Sequence, residues 1–201
     1  MEPLISRLFG ESAIPVIVVT GLPRSGTSMM MKILEVGGIL PFTDRVRTAD
    51  SDNPGGYYEL ERVKRLKDGD SDWMKDACGK AVKIITALVP FIPTRYDYRV
   101  IFMKRNLHEI LASQRKMLIN RNSFSNAVHD DDMMILFQKH LEKTEKWLNT
   151  TDCIQHMIVD YNQLLSNPFP QIEHVNLFLG GHLNLTEMMK VIDPTLYRQK
   201  F

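Results

Sequence analysis

Residues 15–38 read PVIVVTGLPRSGTSMMMKILEVGG, and the fold follows from how that stretch divides. Val16 to Val19 are aliphatic without polar alternation, the pattern of a strand buried on both faces. Gly21 to Ser28 (GLPRSGTS) then place two glycines in a short polar turn. Met30, Ile33, Leu34 and Gly37 recur at helical spacing, and Gly37–Gly38 supply a stop. Strand, glycine-rich turn and helix in that order open an α/β domain.

The rest of the chain extends the pattern. Its 201 residues are 44% apolar and 24% charged, which suits one domain over residues 1–201 and excludes a disordered chain or a small disulfide scaffold. Lys plus Arg number 25 against 24 Asp plus Glu, a balance that gives no sign of a nucleic-acid partner. Cys78 and Cys153 have neither metal-ligand nor C-x-x-C spacing and are expected as reduced thiols; no metal is expected. The aliphatic run Ala13 to Val19 is too short to span a bilayer and no basic run precedes it. A cytoplasmic protein without a membrane partner is the expectation.

Tyr98 to Met103 (YRVIFM) reads as a second strand, followed by Asn106 and Glu109 at capping-box spacing and a helix carrying Leu107, Ile110 and Leu111. Residues 120–130 read as a polar loop and Asp131 to Asn149 as a long helix. Ile154 to Val159 is a third strand, with Asp160, Tyr161 and Asn162 at its end. Helices are predicted around 171–180 and 185–192, the second with Asn184 and Glu187 as a capping pair. Between the first two strands, residues 38–57 read as irregular, with a turn at Asn53–Gly56. Tyr58 to Leu66 read as a short helix, Trp73 to Asp76 (WMKD) as a short strand, and 79–89 as a helix with Val82, Ile85 and Val89 on one face. The alternation predicts a three-layer, P-loop-like α/β domain with a mainly parallel central sheet. Ligands of such sheets bind beyond the C-terminal strand ends, where Gly21, Arg105 and Asp160 all fall.

The loop has the length of a Walker A motif, G-x-x-x-x-G-K-[ST], with Thr27 in place of the Lys. Gly21 and Gly26 let the backbone curl so that amides point at an anion, and the following helix adds positive potential. Arg24, Thr27 and Ser28 add side-chain donors. The missing Lys disfavours an ATPase or kinase, because that Lys reaches the β- and γ-phosphates. Asp160, and less so Asp76, are the carboxylates available for magnesium.

These residues carry a resemblance. VIVVTGLPRSGTSMM is similar to the 5′-phosphosulfate loop of the sulfotransferases that use 3′-phosphoadenosine 5′-phosphosulfate (PAPS). That family pairs the loop with an Arg at a strand end and a Ser eight residues later; KRNLHEILAS supplies Arg105 and Ser113 at that spacing. VDYNQLLSNP (159–168) resembles the family's later strand-end element more loosely. The resemblance implies that Pro23, Arg24, Ser25, Gly26, Thr27 and Ser28 hold the 5′-phosphosulfate, and that Arg105 and Ser113 hold the 3′-phosphate. It also implies PAPS as cofactor and sulfuryl transfer to a hydroxyl or amine of a small-molecule acceptor.

Sulfuryl transfer needs cations near the leaving phosphate and a base near the acceptor. Arg24 takes the place of the family's loop Lys in this reading, and Lys75 is a second cation. Members acting on phenols and steroids use a His close after a Lys, whereas Lys75 is followed by Asp76 and Cys78. Other members use a Glu, and Glu59 in GGYYELERV is the best carboxylate, ahead of Glu61. The closing sequence R-K-G-x-x-G-D-W-K of the cytosolic members is absent; the tail VIDPTLYRQKF, with Arg198, resembles bacterial members instead. Each candidate has a plainer use as well: an Arg105–Glu109 salt bridge, Ser113 at a helix contact, Lys75 as an exposed lysine, Glu59 as a helix-start charge. Two other functions stay open, a nucleotide or small-molecule kinase with a degenerate P-loop and a non-catalytic nucleotide-binding protein. Neither the acceptor nor an oligomeric state is named by the sequence.

Overall fold

A computed structural model describes residues 14–44, 46, 56–120 and 129–192. Strand β1 (Val16–Gly21) is buried along its whole length, as its unbroken aliphatic run requires. It lies between β2 (Ala81–Lys83) and β3 (Tyr98–Lys104), and β4 (Ile154–Asp160) lies outside β3. The order is β2-β1-β3-β4 and every pairing is parallel. Register sets Val19 opposite Lys83, Gly21 opposite Met103 and Lys104 opposite Asp160, so the turn after β1 shares one edge with the ends of the other strands.

Six helices cover the sheet among the described residues: α1 (Thr27–Gly37), α2 (Leu107–Asn120), α3 (Asp130–Thr150), α4 (Tyr161–Ser166), α5 (Pro168–Phe178) and α6 (Leu185–Lys190). Successive strand residues point to opposite faces, so β1 feeds two cores. Ile17 and Val19 pack with Met30, Ile33 and Leu34 of α1, and with Leu164, Ile172 and Met188 of α4, α5 and α6. Val16 and Val18 pack on the other face with Trp73, Met74, Phe102 and Leu148, the last from α3. The layers are therefore helix, parallel sheet, helix, as the alternation predicts. Both cysteines are free.

Several local expectations are corrected. Residues 79–89 contain β2 and then a 3-10 turn at Val89–Phe91, not a helix. Val82, Ile85 and Val89 match helical spacing, but the AVKII run is β-branched, and pairing with β1 buries Ala81, Val82 and Lys83. The WMKD segment is a 3-10 helix, Asp72–Ala77, because Trp73, Met74 and Ala77 all turn into the core. Glu61–Asp68 is also 3-10. Helix α5 starts at Pro168, and the short α4 goes unanticipated. Asn106 caps α2 as expected, Oδ1 accepting from the His108 amide at 2.9 Å, but the reciprocal half of the box is replaced: the Asn106 amide donates to Asn162 Oδ1 at 3.3 Å and the Glu109 carboxylate turns inward to Arg105. Asn184 caps α6 as expected, accepting from the Glu187 amide at 3.2 Å. Most of the turn at Asn53–Gly56, most of the loop 120–130 and the tail with Arg198 lie outside the described residues.

Leu40 to Phe42 run along the outer edge of β2. The Ala81 amide donates to the Leu40 carbonyl at 2.9 Å, and the Phe42 amide to the Ala81 carbonyl at 2.7 Å. This carries Thr43 and Asp44 to the same end of the sheet as the turn after β1.

Ile33 is fully buried between α1 and the sheet. Ile33→Ala is expected to lower unfolding stability by about 2–5 kcal/mol. Urea titration followed by circular dichroism checks it, with an unchanged slope showing that the unfolded state is unaffected.

Candidate active site

The turn after β1 is shaped by what cannot fit beside it. A Cβ on Gly21 would run into Ser25 Oγ and the Met103 carbonyl, so this glycine lets the loop press against β3. Gly26 has φ 94, and a Cβ there would strike the Tyr161 ring. Arg24 has φ 75, a left-handed conformation that costs a non-glycine residue about 1–3 kcal/mol. Gly26 also begins α1, whose first turn has no side-chain cap and no acidic residue. By contrast α4 is capped by Asp160, which accepts from the Gln163 amide at 2.9 Å. Uncapped amides at a helix start favour an anion. Ser25 Oγ is buried and has no partner among the described residues, a further polar group without a protein acceptor in the loop. This donor set fits a phosphate-bearing nucleotide.

On one side the loop is tied to β3, α2 and β4. Arg24 Nε donates to Ser113 Oγ at 2.8 Å, and Arg105 Nη1 donates to the Arg24 carbonyl at 3.0 Å. Arg105 Nε pairs with Glu109 Oε2 at 2.8 Å, their side chains 8% and 2% exposed. Its guanidinium sits 4.4 Å from the Tyr161 ring centroid, and burial pushes that phenol above its ordinary range. Asn162 Nδ2 donates to Glu109 Oε1 at 2.9 Å. Gln114 reaches the carbonyl of exposed Pro23 at 3.3 Å. A cleft of about 620 Å³ beside this cluster is lined by Arg105, Asn106, Glu109, Asp160 and Asn162 among others.

On the other side stands a lysine absent from the sequence reading. Lys83 ends β2 with its side chain 8% exposed. Nζ donates to the Tyr57 carbonyl, lies 3.4 Å from Ser28 Oγ and sits 3.7 Å from Glu59 Oε1. Ser28 Oγ also donates to the Tyr57 carbonyl at 3.4 Å. A buried ammonium needs such partners to offset its desolvation. Glu59 is therefore brought beside Ser28 by the lysine they share. The Glu59 carbonyl accepts from Thr43 Oγ1 at 2.5 Å, and the Glu61 amide donates to Asp44 Oδ2 at 2.7 Å.

Lys75 is not brought to this site. It is exposed on the 3-10 helix that leads to Cys78, and Cys78 bridges Val16 at the start of β1, the edge opposite the loop. The sequence signal for Lys83 is a lysine flanked by the β-branched residues Val82, Ile84 and Ile85; reading that run as helix hides it. Thr27 and Ser28, read as the end of the polar turn, lie in the first turn of α1.

His140 of α3 shares a hydrogen bond of 2.8 Å with Thr86 Oγ1, and the Thr86 amide donates to the Gly21 carbonyl at 3.3 Å. Burial, then nearby Lys143, holds the His140 imidazole below its usual pKa. Among the described residues no cluster of three or more His, Cys, Asp or Glu could hold a metal, and no helix is long and apolar enough to cross a membrane.

The family described as "Sulfotransferase domain" matches residues 15–200. A solved structure, "Sulfotransferase Domain from the Curacin Biosynthetic Pathway", superimposes with a TM-score of 0.53 at 12% identity, covering 90% of this chain and 79% of the other; it supports the fold. No curated protein sequence matches.

Two outcomes are expected. Gly26→Ala is expected to cost about 1–3 kcal/mol, because the loop must leave Tyr161; calorimetry of unfolding reads it. The lowered His140 pKa means that the unfolded chain takes the proton first, so this stability is present above the unfolded value of 6.5 and is lost as pH falls below it. His140→Gln flattens the melting temperature between about pH 7 and 5, measured by scanning fluorimetry.

Proposed function

From the premise that this chain belongs to the sulfotransferase domain family and is a transferase, we propose that it moves a sulfuryl group from PAPS to a hydroxyl or amine of a small acceptor. The observation that carries the reading is the meeting of Lys83, Ser28 and Glu59 beside the uncapped start of α1. A cation, a hydroxyl and a carboxylate converge at an anion-favouring helix end, next to a loop whose buried Ser25 has no protein partner.

PAPS, when bound, supplies a sulfuryl group activated by its linkage to phosphate. In this reading the amides of 24 and 26–28, with Ser25, Thr27 and Ser28, hold the 5′ end, while the Ser25 amide closes the turn on the Leu22 carbonyl at 3.1 Å. Ser113, with Arg105 behind it, faces the 3′-phosphate. Arg24 joins the two ends, because its side chain meets Ser113 and its carbonyl meets Arg105. Lys83 takes the role expected of Lys75: it offers a fixed positive charge to oxygens that gather negative charge during transfer. Glu59 takes the proton released by the acceptor. Both groups are fixed before any ligand arrives, so little reorganisation opposes the reaction.

The test begins with the nucleotide. 3′-Phosphoadenosine 5′-phosphate is expected to raise the melting temperature without magnesium, more than ATP or GTP does. Lys83→Ala is expected to lower turnover of radiolabelled PAPS about 10²–10³-fold, and Glu59→Gln about 10²–10⁴-fold. ATP selectivity that requires magnesium contradicts the assignment, and full turnover by Glu59→Gln removes Glu59 as the base.

A further inference from the structure

The segment that carries Glu59 is irregular in secondary structure yet fastened at every residue. Tyr58 has φ 52, a backbone conformation that favours glycine. Its hydroxyl donates to Glu35 Oε2 at 2.6 Å, the oxygen that also accepts from Lys32 Nζ at 2.8 Å. Lys32 and Glu35 belong to α1, and Glu35 lies seven residues, two turns, after Ser28. The Tyr58 ring packs against the core on the α1 face. One residue before it, the Tyr57 carbonyl is held by Lys83 and Ser28; one residue after it, the Glu59 carbonyl is held by Thr43.

We propose that Tyr58 is a positioning residue: its hydrogen bond to Glu35 holds the left-handed turn that sets the Glu59 carboxylate beside Lys83. The bond is charge-assisted, and its acceptor stands on the same helix as Ser28. The helix that begins at the anion-binding loop therefore also fixes the carboxylate across from it. A tyrosine kept only for packing would need the ring alone. The hydroxyl acts on Glu59 through one residue of backbone, without touching a substrate. The inference rests on the reading of Glu59 as the base.

Tyr58→Phe keeps the ring and removes the hydroxyl. A crystal structure of this variant needs no acceptor and decides the geometry. The expected result is a residue 58 that leaves positive φ and a Glu59–Lys83 separation beyond the present 3.7 Å. An unchanged turn and an unchanged separation overturn the proposal. PAPS consumption with a phenol, an alcohol and an amine then tests the consequence in a double-mutant cycle with Glu59→Gln. Tyr58→Phe alone is expected to lower kcat about 10-fold with the KM for PAPS unchanged, and to add nothing in the Glu59→Gln background. An equal loss in both backgrounds means that Tyr58 does not act through Glu59 and overturns the inference. Full turnover by Glu59→Gln removes the base reading and this inference with it. A Glu59-dependent enzyme indifferent to Tyr58→Phe removes the inference alone.

Discussion

The buried pair of Arg105 and Glu109 organises the functional end of the sheet. Removing either partner would strand the other charge away from water, a loss of about 3–5 kcal/mol. The pair is satisfied on all sides: Arg105 reaches the Arg24 carbonyl and stacks on Tyr161, and Glu109 also accepts from Asn162. Through these contacts the ends of β1, β3 and β4 are tied together by hydrogen bonds and ring contact rather than by covalent links. Gly26 is part of the same arrangement, since only a residue without a Cβ lies flat against Tyr161. The plainer reading of Arg105, a salt bridge to Glu109, is seen directly, and the ion pair holds the arginine where it donates to the loop carbonyl of Arg24.

The opposite flank follows a different logic. There the buried charge belongs to Lys83, and its partners are a backbone carbonyl, a serine hydroxyl and a partly exposed carboxylate. The lysine also lies over the Tyr57 ring, 5.9 Å from its centroid. One flank is thus held by an ion pair and the other by a buried cation shared between a backbone carbonyl, a hydroxyl and a carboxylate.

The sequence carried the first strand, the glycine turn, α1, the central strand β3 and its Arg and Ser, because each is set by local pattern. Unbroken aliphatic residues, glycines at a fixed interval and an eight-residue spacing need no distant partner to be read. Lys83 was not legible in the same way. Its run matched helical spacing, and only pairing with β1 makes it a strand. Lys75, read as a cation at a strand end, instead turns outward on a 3-10 helix, because Trp73 and Met74 claim the interior. The Glu109 half of the Asn106–Glu109 box is missing for a related reason: its carboxylate is taken by Arg105, four residues back, and by distant Asn162. Glu59 was legible by its type and its place after a turn, whereas the fastening of Tyr58 to Glu35 was not, since it joins two segments that no periodicity connects.

The sheet's topology has a consequence for how the chain is made. β1 is central but is the first of the four strands to be synthesised, and its partners lie far downstream, Val18 against Val82 and Val100. Until those segments leave the ribosome, the VIVVT run has nothing to pair with, and pairing at such long range is slow. Protein yield in the cell is thus exposed to changes in β2 and β3 through this waiting interval, apart from anything those strands do once folded.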